Sequence, residues 1–172
     1  RRRFTPMPQG RGTRAAHQVD GRTGAVLLDT RLRPSVPISP EAYAVHGIYA
    51  EDLQEAPTLA EVWTRVRTLL RGALVVAYNA AFDRRMLAQA AERYGLKRPA
   101  CRWYCLMEAC SAFDDSEDGR WLSLGAVCGE LGITGEEYGP AHGARADALA
   151  ALAVVRALAA RAGEDPGASA RE

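Results

Sequence analysis

The chain has 172 residues, 48% hydrophobic and 25% charged, with 22 basic against 21 acidic side chains and a net charge of +1. That composition belongs to one folded domain with a sizeable core. It excludes a disordered polyelectrolyte, and it leaves bulk charge with nothing to say about a partner. No apolar run is long enough to cross a bilayer, and the arginine-rich start has no apolar stretch behind it, so a cytoplasmic location and no membrane partner are expected.

The first segment, 1–18, reads RRRFTPMPQGRGTRAAHQ, with five arginines, no acid and no helical or strand period. It is expected to be a disordered arginine-rich terminus. From Val19 the pattern changes to the end of a strand, a Gly-containing turn, and a second strand from Ala25 to Arg33. A Pro-rich segment from Pro34 to Pro57 follows as a long structured loop with at most one short helix.

Thr58 and Glu61 form a capping-box pattern ahead of an amphipathic helix whose stripe is Leu59, Val62, Val66, Leu69 and Leu70, with Gly72 as its stop. The run ALVVA predicts a short strand buried on both faces, passing through YNAAFD into a helix that ends near Tyr94 and Gly95. A strand feeding a helix is the signal of an α/β fold. WYCLMEACSAF is predicted helical, WLSLGAVCGELGI amphipathic helical, and Asp147–Ala162 the long last helix. The ordered domain is expected over 19–162, with 163–172 a frayed tail. Cys101, Cys105, Cys110 and Cys128 form no C-x-x-C pair and read as reduced, partly buried small hydrophobes.

Three residues could carry chemistry together. Asp83 falls early in a helix that directly follows a buried strand, where α/β sheets present their ligands, although an acid there also suits the helix dipole. Asp147 lies early in the last helix. His142 stands five positions before it; positions i and i+5 are about 140° apart on a helix, so His142 belongs in the lead-in loop. Two converging carboxylates can hold hard divalent cations through oxygen, and a neutral His beside them can take a proton from water. That set suits metal-assisted phosphodiester hydrolysis.

At these residues the sequence resembles a family. AYNAAFD is similar to the second motif of the DnaQ-like (DEDDh) 3′-to-5′ exonucleases, HGARAD resembles their third motif H-x-A-x-x-D, and PISPEAYAVHGI is similar to the segment that precedes the second motif in polymerase III proofreading subunits. The resemblance runs from about Val19 to Ala162 and implies an RNase H-like fold with a central mixed sheet flanked by helices. By the same resemblance, Asp83 and Asp147 are metal ligands for Mg2+ or Mn2+ in a two-ion site, and His142 is the general base. His46, Ile48 and Asn79 become candidate substrate contacts. His46 also reads as a turn residue before Gly47, Asn79 as a helix cap, and Phe82 as core. The partners implied are single-stranded or 3′-terminal nucleic acid and a DNA polymerase.

The family's first motif, D-x-E, supplies two further carboxylates and is not found. Asp29 is followed by Thr30 and Arg31, and it falls in what aligns as the third strand. The first strand is therefore expected to be absent or replaced, with a misassigned start or reading frame before Val19, weak ion occupancy and lost ladder hydrogen bonds in its neighbours. Two functions follow: a metal-dependent 3′-to-5′ exonuclease on DNA or RNA, and a catalytically impaired domain that binds nucleic acid or a polymerase as a scaffold.

Overall fold

A computed structural model gives the fold, and it describes residues 15–35, 37, 38, 40, 43, 44, 47–111, 121–134 and 144–163. Its first strand, β1 (Ala15–Val19), pairs antiparallel with β2 (Val26–Arg31) across a tight turn. The Asp20 carboxylate closes that turn, accepting from the amides of Arg22 and Thr23 and from the Thr23 hydroxyl. Gly24 takes φ +78°, where side chains are disfavoured. Strand β1 thus starts at Ala15, ahead of the Val19 boundary expected from sequence. The pairing of Ala15 with Arg31 and of Ala16 with Thr30 supplies the ladder that the arginine-rich text concealed.

Within the Pro-rich segment a 3-10 turn covers Glu51–Leu53, with Leu53 fully buried. Helix α1 (Leu59–Leu70) carries the expected capping box: the Thr58 hydroxyl accepts from the Glu61 amide, and the Glu61 carboxylate accepts from the Thr58 amide. Its buried residues are Leu59, Trp63, Val66 and Leu70, so Trp63 joins the stripe read from sequence. Thr58→Ala is expected to cost about 1 kcal/mol in chemical denaturation, because it leaves helix-end donors without a partner.

Strand β3 (Leu74–Ala77) leads through Tyr78 and Asn79 into helix α2 (Ala80–Arg93) and pairs in parallel with β4 (Arg102–Cys105). Short helices α3 (Leu106–Ser111) and α4 (Leu124–Glu130) precede the long helix α5 (Ala144–Ala162). Two expectations are corrected here. The WYC part of WYCLMEACSAF is strand rather than helix, because aromatic side chains suit a pleated surface and Trp103 and Tyr104 pair with Val75 and Val76. The β3 strand is not buried on both faces: Val76 is 41% exposed, and its neighbour Tyr104 is 47% exposed.

The expected central mixed sheet also differs. Both strand directions are present, but among the described residues they fall into separate two-stranded ladders, β1–β2 antiparallel and β3–β4 parallel. Apolar packing joins them instead. Leu28 of β2 is buried with Val66 and Leu70 of α1, and Val75 of β3 and Leu87 of α2 pack on that cluster. On a second cluster Leu106, Cys110, Val127, Ala151 and Val154 bring α3, α4 and α5 together. The last helix begins at Ala144, three residues before its expected start, and packs on β1. All four cysteines are free, as their spacing implied.

Candidate active site

The strand-to-helix turn after β3 sets the site. Asn79 lies at φ −116° and ψ 74°, outside helical geometry, and its side-chain oxygen accepts from the Phe82 amide at 3.2 Å. The amide of Asp83 donates to the Asn79 carbonyl at 3.3 Å, so Asp83 sits at the fourth helical position with its direction fixed by the cap. Asn79 therefore acts as the N-cap of α2, the structural role that its position allowed.

Asp83 has its pKa pushed up to about 6, first by burial and then by the charge of Asp147, while its own backbone amide pulls the other way. By surface area the residue remains open to solvent. The carboxyl is thus crowded by protein on one side and reachable from the other, and solvent screening keeps the stability consequence small. Asp147 stands in the first turn of α5, on a different element and 64 positions further along the chain (147 − 83). That its charge is felt at Asp83 means that the first turns of α2 and α5 lie on the same side of the molecule, within electrostatic reach of one another.

A carboxyl held above its ordinary pKa is bound more strongly to its proton in the folded protein than in the unfolded chain. Stability is therefore expected to fall as pH rises from about 4 to about 6, and Asp83→Asn should flatten that slope in thermal melts taken across the window. Affinity for a divalent cation should move the opposite way, rising as Asp83 loses its proton near pH 6.

Of the remaining candidates, Ile48 is half-buried after Gly47, whose φ of +63° and amide donation to the Tyr43 carbonyl at 2.7 Å turn the chain there. His46 and His142 lie outside the described residues. Phe82 was expected in the core and is 37% exposed, with the Arg85 guanidinium 5.6 Å from its ring centre. The reason is position: at the third residue of α2 it faces out of the turn that aims Asp83. Asp29 does not serve as a substitute ligand. Its carboxylate lies 3.2 Å from the Nδ1 of His17 and 3.5 Å from an Arg145 nitrogen.

Sequence reading missed His17 and Arg145. His17 lay in text taken as irregular, and the only available signal was the short period-two pattern that continues into Val19. Among the described residues, no group of three or more His, Cys, Asp or Glu could hold a metal ion, and Asp83 feels the charge of Asp147. Oxygen donors of this kind suit Mg2+ or Mn2+, and two negative charges balance one such ion.

The α/β scaffold is RNase H-like, as its likeness to solved exonuclease structures shows. The chain belongs to the DnaQ-like exonucleases: the RNase_T exonuclease family model matches residues 15–155. It is 34% identical over 146 residues to an uncharacterized exonuclease, CP81, of Escherichia phage 186, covering 79% of this chain and 74% of that one. It is 32% identical over 118 residues to the DNA polymerase III subunit epsilon of Escherichia coli (strain K12), covering 68% of this chain but 48% of that one, so it spans about half the length of that subunit.

Among solved structures, exonuclease X in complex with 5′-overhanging duplex DNA superimposes with a TM-score of 0.65 at 23% identity, covering 91% of this chain and 86% of that one. The nuclease domain of 3′hExo, a DEDDh family member bound to rAMP, gives 0.63 at 15% identity, covering 86% and 78%. These two likenesses show the fold. The family match begins at Ala15, where β1 begins.

Proposed function

We propose that the chain is a metal-dependent 3′-to-5′ exonuclease acting on the terminal phosphodiester of DNA or RNA. The observation that carries this reading is the electrostatic coupling of Asp83 with Asp147. Two carboxylates that repel one another in protein surroundings store a preference for a cation, and a divalent ion placed between them removes the repulsion. Asp83 and Asp147 are the residues that would hold Mg2+ or Mn2+, which when bound polarises phosphate oxygen and lowers the pKa of water.

His142, placed by sequence just before α5, would take the proton of the attacking water, and Ile48 with His46 would lie along the terminal nucleotide. Asn79 is assigned to capping first, with substrate contact second. With one carboxylate pair, the first ion is well balanced and a second is held weakly. The domain proposed is 19–162, to which the strand from Ala15 adds its start, with 163–172 as a tail.

A nucleic-acid strand is the partner proposed, since exonuclease X, of similar fold, is in complex with duplex DNA, and the nuclease domain of 3′hExo is bound to rAMP. Association with a DNA polymerase rests on the name of the epsilon subunits alone. Among the described residues no helix is long and apolar enough to cross a membrane, and the free cysteines support action in the reducing cytoplasm.

Direction is tested with a single strand labelled at either end. A 3′-label should leave as mononucleotide in the first turnovers, while a 5′-label should give a ladder that shortens with time. The reverse pattern would overturn the assigned direction.

A further inference from the structure

Helix α5 and the β1–β2 hairpin run side by side. The Arg145 guanidinium meets Asp29 at one end, and that of Arg156 lies over Gly24 at the other, where a Cβ on the glycine would come within 3.1 Å of it. Arg145 and Arg156 lie about 16 Å apart along the helix, while Asp29 lies in β2 and Gly24 in the turn before it. The two ends do different work.

A cation in the first turn of a helix is disfavoured by the backbone dipole, which there presents its positive end. Arg145 stands in that turn. Its position is offset by Asp29, whose other carboxylate oxygen lies 3.2 Å from His17, the residue directly opposite on the hairpin. The His17 side chain is only 1% exposed. Neither of its ring nitrogens has a hydrogen-bond partner among the described residues. The carboxylate therefore stands between a buried imidazole and a guanidinium that carries the helix terminus.

We propose that Asp29, braced by His17, is a positioning residue that latches Arg145 to the hairpin and thereby turns Asp147 toward Asp83. Residues two apart on a helix point about 200° apart, so seating Arg145 on the hairpin sends Asp147 to the other side of α5. Ala146, between them, is buried and fixes the remaining direction. An exposed Asp–Arg pair contributes little to global stability, so the role of this one is orientation. The inference rests on the metal-site reading above for its consequence, while the latch itself stands on the hairpin–helix geometry.

The test compares Asp29→Asn with Arg156→Ala, which removes the contact at the far end of the same helix. In Asp29→Asn, amide hydrogen exchange at Ala148–Ala151 should speed up severalfold, and Mn2+ affinity measured by electron paramagnetic resonance should weaken about tenfold, as for other residues that orient a metal ligand. Asp29→Glu should recover part of both. Arg156→Ala should lower the melting temperature at least as much with Mn2+ affinity unchanged. Wild-type exchange and affinity in Asp29→Asn would overturn the latch, and so would equal weakening in Arg156→Ala. If the wild-type chain takes up no Mn2+, the metal-site reading fails, and the exchange data alone decide whether the latch exists.

Discussion

Asp83→Ala is expected to reduce Mg2+-dependent release of mononucleotides from a 3′-labelled single strand by about a thousandfold. A bound ion contributes several kcal/mol of transition-state charge stabilisation, and every 1.36 kcal/mol is tenfold in rate. Asp147→Ala should do the same, and the double variant should lose no more than either alone, because the two carboxylates act on one ion. Folding should survive. Removing a carboxyl that is crowded by protein and repelled by its neighbour relieves strain, so the melting temperature at neutral pH should hold or rise. Loss of activity together with loss of the fold would mean that Asp83 is structural. A wild-type chain that releases nothing yet binds the strand with steep salt dependence would instead be the scaffold domain.

Trp63→Ala should be the most damaging single change in the core. The side chain is 3% exposed on α1, among Leu32, Leu59 and Ala91, and its indole N–H donates to the Lys97 carbonyl at 3.0 Å. Truncation opens a large cavity and leaves that carbonyl unpaired, which together cost about 3–5 kcal/mol. For a chain of this size, that corresponds to a fall of about 10 °C in the midpoint followed by circular dichroism. Trp63→Phe, which keeps most of the volume, should recover much of it and isolate the hydrogen bond. A change below 1 kcal/mol in Trp63→Ala would contradict the packing described.

The parts of the fold that depend on local chemistry were legible in the sequence. The capping box at Thr58 and Glu61 names its own hydrogen bonds, and the strand-to-helix passage at YNAAFD places Asp83 because the Asn79 cap is a neighbour in sequence. Parts that depend on distant pairing were not. Trp103 and Tyr104 read as helix because their strand character comes from the ladder with β3, some 30 residues away. His17 was hidden for the same reason, since its partner Asp29 is brought opposite only by the hairpin. Phe82 looked like core because an aromatic beside a helix start usually is, and the turn that aims Asp83 sends it outward.

Among the described residues the strands form two ladders, β1–β2 and β3–β4. No backbone ladder joins β1 with β3 among the described residues, and Val76 on β3 is 41% exposed.

Mn2+ titration followed by electron paramagnetic resonance, on the wild-type chain, Asp83→Asn and Asp147→Asn, tests the shared site most directly. One saturable ion should bind the wild type above pH 6, and either substitution should remove it while the fold is kept. Equal binding in all three proteins would place the ion elsewhere and leave the two carboxylates without a common role.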